Sequence, residues 1–176
     1  MQPICWRPPI ELSAREQTII ERIRRAKLFV FLRLHRHEVF DKAFQQELAC
    51  LYQLSQRGQP PVPPALLGLA TIVQAYTGVS DDEVIEASTM DLRWQLVLDC
   101  VDTEKSPFSK GTLIAFRKRL IESSMVQSLV EQTIKVAKET GAFGSCSLRA
   151  SLDGSQLWRA QSSSESYKML TLSFVE

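Results

Sequence analysis

Long apolar runs are missing from this chain of 176 residues. The densest, LFVFLRL at 28–34, is interrupted by Arg33 and is far shorter than the roughly 20 residues a membrane-spanning helix needs. The opening MQPICWRPPIEL lacks the apolar stretch of a secretory signal. Cysteine is confined to Cys5, Cys50, Cys100 and Cys146, which form no CxxC pair and no Cys/His knuckle. That spacing argues against a zinc site and against a disulfide framework, so buried free thiols in a reducing, cytoplasmic compartment are expected. Histidine occurs only as His35 and His37, at a helix end with no third ligand at metal spacing, which reads as a surface pair. GxGxxG, the P-loop, GxSxG and HExxH are all absent, leaving nucleotide-binding, serine hydrolase and zincin readings without support.

An overall excess of either charge is missing too, since the net charge is +1. The distribution, however, is uneven. Between Arg7 and Arg36 there are eight Lys or Arg against three Glu; between Asp81 and Glu104, eight acids against one Arg; between Lys105 and Arg119, five basic residues and no acid. Such segregation suits a polyanionic partner, or acidic and basic segments that face each other within the fold. The charges alone favour the second.

What is present is mainly helical pattern. Ser13-Ala14-Arg15-Glu16 is a capping box, and the helix it opens aligns Ile19, Ile23, Ala26, Val30 and Leu34, with Arg15, Arg22 and Arg25 off that stripe. A second helix is predicted over about Val39 to Gln56, through Phe40, Phe44, Leu48, Leu51 and Tyr52, ending at SQRGQPPVPP. PALLGLATIVQAYTG is apolar nearly all round and is predicted as the buried central helix, with Pro64 in its first turn and Gly78 closing it. Ser80 to Glu83 form another capping box, and MDLRWQLVLDC continues helically, buried through Leu92, Leu96, Val97 and Trp94. Ser109 caps a helix whose apolar face is Leu113, Ile114, Phe116, Leu120 and Ile121. Arg117 falls inside that face and must be paired, Asp91 or Asp99 being the expected partner. A last helix, about Met125 to Thr140, stops at Gly141.

The pattern then changes. SLRASLD at 147–153 alternates, ends in Asp153 and could pair with YKMLTLSFVE as a hairpin. An aspartate before glycine commonly caps a turn through its side chain. A catalytic metal needs two or three converging carboxylates, and Glu165 and Glu176 are too few and too close to complete such a set. Asp153 is thus structural, or its partners lie outside this chain.

PPVPPALLGLATIVQAYTGVSDDEVIEASTMDLRWQLVLDC, PFSKGTLIAFRKRLIE, TGAFG and LRASLDGSQLW, in that order, resemble the N-terminal half of bacterial insertion-sequence transposases of the DDE type, from about Leu28 to Leu170. The resemblance implies a helical N-terminal domain, 1–143, followed at 144–176 by the start of an RNase H-like α/β domain. It implies that Asp153 is the first of three metal-binding catalytic acids, that Mg²⁺ is the ion of the complete family enzyme, and that the other two acids lie beyond residue 176. The chain then reads as truncated. It departs locally from the family pattern, RAQSSSES replacing a Gly- and charge-rich continuation after Leu157-Trp158. The role this leaves is binding of duplex DNA, such as the element's terminal inverted repeats, through Arg22, Arg25, Lys110, Lys118 and Arg119. The alternative is a helical oligomerisation or protein-interaction module that touches no DNA, forming homo-oligomers or mixing with full-length transposase.

Overall fold

The computed structural model describes residues 3–53, 60–143, 147–153 and 169–175. The molecule is mainly helical. An irregular arm, residues 3–13, leads into α1 (Ala14–Arg22), whose capping box forms as expected: the Glu16 amide donates to Ser13 Oγ at 3.2 Å and the Ser13 amide to Glu16 Oε2 at 2.9 Å. The helix does not continue to Leu34. It stops at Arg22, and after a short turn α2 (Lys27–Val39) doubles back. Neither glycine nor proline marks this break. The Arg33 guanidinium holds both carboxylate oxygens of Glu16, Nη2 to Oε2 at 3.1 Å. On a continuous helix those residues would stand about 25 Å apart, so the ion pair requires the reversal. The turn shifts the phase of the wheel: Leu28, Phe29, Phe31, Leu32 and Val39 are buried on α2, while Leu34 is exposed.

Asp41 caps α3 (Lys42–Ala49), accepting from the Phe44 amide at 2.8 Å, and Phe40, Phe44 and Leu48 enter the core. The helix expected over Val39 to Gln56 is shorter at both ends: Val39 closes α2, Asp41 starts a new helix as its cap, and α3 stops at Ala49 with residues 50–51 in turn geometry. Gln56 itself lies outside the described residues. α4 (Pro64–Thr77) is the central helix, buried from Pro64 to Ala70 and again at Ile72 to Gln74, and Gly78 closes it at φ 69°. Residues 81–98 form two helices, α5 (Asp81–Met90) and α6 (Leu92–Leu98), because Asp91 leaves helical geometry and accepts the Arg93 amide at 2.8 Å. Trp94, Leu96 and Val97 are buried as expected, but Leu92, at the outer corner, is not. α7 (Lys110–Glu122) buries Leu113, Phe116 and Leu120 and turns Ile114 and Ile121 outward. α8 (Met125–Thr140) ends at Gly141, φ 61°. Strands β1 (Ser147–Asp153) and β2 (Met169–Val175) pair antiparallel, Ser147 opposite Val175 and Asp153 opposite Met169.

The core forms around α2, α4 and α6, with Phe29 edge-on to both Tyr76 and Trp94 at 6.2 and 6.3 Å. Cys100 is a buried free thiol, and burial pushes its pKa up. Cys5 and Cys50 are free but exposed, contrary to expectation, because the arm and the end of α3 lie on the surface. Cys146 lies outside the described residues. No helix among the described residues is long and apolar enough to cross a membrane.

Candidate nucleic-acid interface

The basic segment 15–36 divides into an inward and an outward set. Arg33 and Arg36 are each about 1% exposed and clamp the N-terminal arm. Beyond Glu16, Arg33 donates to the Ile10 and Glu11 carbonyls at 3.3 and 2.9 Å. Arg36 donates to Asp99 Oδ1 at 2.8 Å, to the Pro9 carbonyl at 3.3 Å and to the Val97 carbonyl at 3.0 Å, and its guanidinium lies 5.2 Å from the Trp6 ring centroid. Gln45 fastens the same arm by exchanging hydrogen bonds with the Trp6 amide and carbonyl at 2.8 and 3.0 Å. Burial lowers the Arg36 pKa and Asp99 opposes that shift. The signal for Arg33 was present in the sequence: an arginine inside the densest apolar run.

α7 carries the second group of candidate cations, and each has a partner. Lys110 Nζ stands 2.7 Å from Asp82, Lys118 lies 4.0 Å from Glu122, and the Arg119 guanidinium covers the Tyr52 ring at 4.5 Å. Arg117 is half-buried and paired, as expected of a charge in an apolar stripe, but with Asp81 at 2.6 Å rather than Asp91 or Asp99. Asp91 holds Arg93 and Asp99 holds Arg36. Gln74, 2% exposed, completes the junction: its Oε1 accepts from Arg117 at 2.9 Å and its Nε2 donates to Asp81 at 2.8 Å. Burial would raise the Asp81 pKa, but the hydrogen bonds from Arg117 and Gln74 outweigh it and hold the carboxyl below its usual range.

Arg22, Arg24 and Arg25 differ. All three are exposed at the α1–α2 turn, and none has an acid partner among the described residues. Sequence pattern singled out Arg22 and Arg25 and missed Arg24, because only the reversal of the chain brings all three to one turn. They line a shallow cleft of about 440 Å³ with Ile19, Ile23, Ala26, Leu92 and Arg93. Arg93 is held by Asp91 at 2.6 Å and lies 5.3 Å from the Phe29 ring centroid. The cleft therefore joins an apolar floor to three guanidiniums that have no counter-ion among the described residues.

No three of His, Cys, Asp and Glu come together among the described residues. His35 Nδ1 lies 2.9 Å from Glu38 Oε1, and His37 is exposed. Asp153 is the last residue of β1, and its side chain lies outside the described set.

A family model described as "Transposase domain (DUF772)" matches residues 18–119, more than half of the chain. The chain belongs to this family. Its role is therefore connected with transposition. The matched transposase domain starts within α1 and ends within α7, taking in the arginine turn, both clamping arginines and the Gln74–Asp81–Arg117 junction. The arm, α8 and the β-strands lie outside it. Comparison with curated proteins and with solved structures gives no match.

Proposed function

We propose that this chain is the DNA-binding and assembly region of an insertion-sequence transposase of the DDE type, with Arg22, Arg24 and Arg25 as its main hold on duplex phosphates. The observation that carries the reading is their exposure as a cluster without acid partners among the described residues, while Lys110 and Lys118 pair with carboxylates and Arg119 covers the Tyr52 ring. Guanidiniums match phosphate oxygens with two parallel donors, and phosphate contact dominates affinity for DNA. Lys110 and Lys118 extend the contact by exchanging solvated carboxylates for phosphates, since exposed ion pairs contribute little to stability, and Arg119 by turning from the Tyr52 ring to a phosphate. The terminal inverted repeats of an element are the proposed target.

In this reading residues 1–143 are the helical domain and 144–176 open an RNase H-like domain, with Asp153 as the first acid of a triad that binds Mg²⁺. The position of Asp153 at the end of β1 supports that assignment. A two-metal centre requires several converging carboxylates, which Asp153 alone does not supply, so no chemical step is assigned to this chain.

Fluorescence-anisotropy titration of a labelled duplex at two salt concentrations tests the reading. The arginine turn alone, neutralising three phosphates, gives a log–log slope of about −2.7, and full engagement of the three α7 cations steepens it to about −5.4. Replacing Arg22 and Arg25 by Ala flattens the slope by about 0.9 per residue and leaves the melt unchanged. Absence of binding at low salt removes DNA as a partner and leaves an interaction module, a reading favoured by the exposure of Met90, Leu92, Ile114 and Ile121.

A further inference from the structure

The arginine cleft borders a surface of the opposite charge. Along α5, Glu83, Glu86 and Met90 recur at i, i+3 and i+7 and form one outward stripe, with Met90 79% exposed. Glu86 has no ion pair among the described residues. Glu83 accepts the Ser80 amide through Oε2 at 2.7 Å, an interaction that holds its carboxyl below the usual range and keeps it anionic. The stripe runs through Met90 and Asp91 directly into Leu92 and Arg93, which line the cleft. An acidic ridge with an apolar tip therefore adjoins a basic cleft with an apolar floor.

We infer that two copies of this chain pair across a two-fold axis, the α5 ridge of each entering the arginine cleft of the other. A two-fold interface requires a self-complementary patch in which residue i meets j and j meets i. The ridge and cleft meet that condition in charge, with glutamates facing guanidiniums, and in apolarity, with Met90 covering Ile19, Ile23 and Leu92. Within one molecule the two halves are not joined: among the described residues no ion pair links Glu83 or Glu86 to Arg22, Arg24 or Arg25. Opposed charges of this kind fix register and accelerate association. DNA and the second copy then compete for the same arginines, so self-association restrains DNA binding; this last clause rests on the DNA reading above.

Sedimentation velocity on the full chain, over a range of concentrations at low and high salt, reads the interface. The expected result is a dimer at low salt that dissociates as salt rises. Glu86→Arg and Arg25→Glu each weaken the dimer by about tenfold or more, and the double variant Glu86→Arg/Arg25→Glu restores it. Both positions are exposed, and an unchanged melt confirms that each variant folds. A monomer at all concentrations overturns the inference, as does a dimer indifferent to Glu86→Arg or a double variant that fails to reassociate. Anisotropy on the same samples separates the two readings. Glu86→Arg binds duplex at least as tightly as the parent if both hold. A monomer that binds DNA sinks only the dimer, and a dimer that ignores DNA sinks only the DNA reading.

Discussion

Arg117 shows how far a single residue can be read in advance. A charge inside an apolar stripe must be neutralised, and it is, by Asp81 and Gln74. Which acid does so depends on how α5 packs against α7, and no local pattern carries that information. Arg117→Ala is expected to lower stability by about 3 kcal/mol, because Asp81 and the buried Gln74 amide lose their shared partner; a urea melt of the variant checks it. Glu16 yields a pH prediction. Burial pushes its carboxyl upward, but hydrogen bonds from Arg33 and from the Ser13 amide and hydroxyl outweigh that and bring the pKa to about 2 from an ordinary 4.5. A depressed folded pKa contributes stability that is present above pH 4.5 and lost as pH falls toward 2. Glu16→Gln should flatten that acid limb while lowering stability at neutral pH, and melts taken between pH 6 and pH 2 measure both effects.

Helix ends marked by side-chain chemistry form where the sequence puts them. Ser13, Ser80 and Ser109 cap their helices, and Gly78 and Gly141 close theirs in the left-handed region. The α1–α2 break was not legible, because it arises from contacts of Glu16 and Arg33 rather than from a breaking residue. Within α4, Gly68 packs against Phe40: a Cβ there would approach the ring at 2.8 Å, inside the normal contact distance. Alanine is about 1 kcal/mol better than glycine in a helix interior, yet overpacking costs about 1–3 kcal/mol. Phe40 is 2% exposed and stacks at 5.8 Å on Phe44, leaving its ring little room to yield. Gly68→Ala should therefore lower the Tm despite its higher helix propensity, and a rise in Tm would mean that the α4–Phe40 contact is loose.

At the scale of the molecule, the arm joins the fold through two buried arginines, and the transposase domain presents an arginine turn without an acid partner among the described residues. One carboxylate at the end of β1 provides neither the geometry nor the charge for in-line displacement at a phosphodiester. The purified 176-residue chain is accordingly expected to leave supercoiled plasmid intact with Mg²⁺ or Mn²⁺. Divalent-dependent nicking that disappears in Asp153→Ala would contradict this.

By itself the sequence determined the helical class, the caps, the central burial of 64–77 and the need to pair Arg117, because each follows from local hydrogen bonding or from hydrophobic periodicity over a few turns. The tertiary structure decided the rest. It turned α1 back on α2, sent Arg33 and Arg36 inside and left Arg22, Arg24 and Arg25 outside, although all five belong to one basic segment. A guanidinium's surroundings depend on which carbonyls and carboxylates reach it through space, and residues such as Asp99, distant in sequence from Arg36, are brought there only by the packing of whole helices.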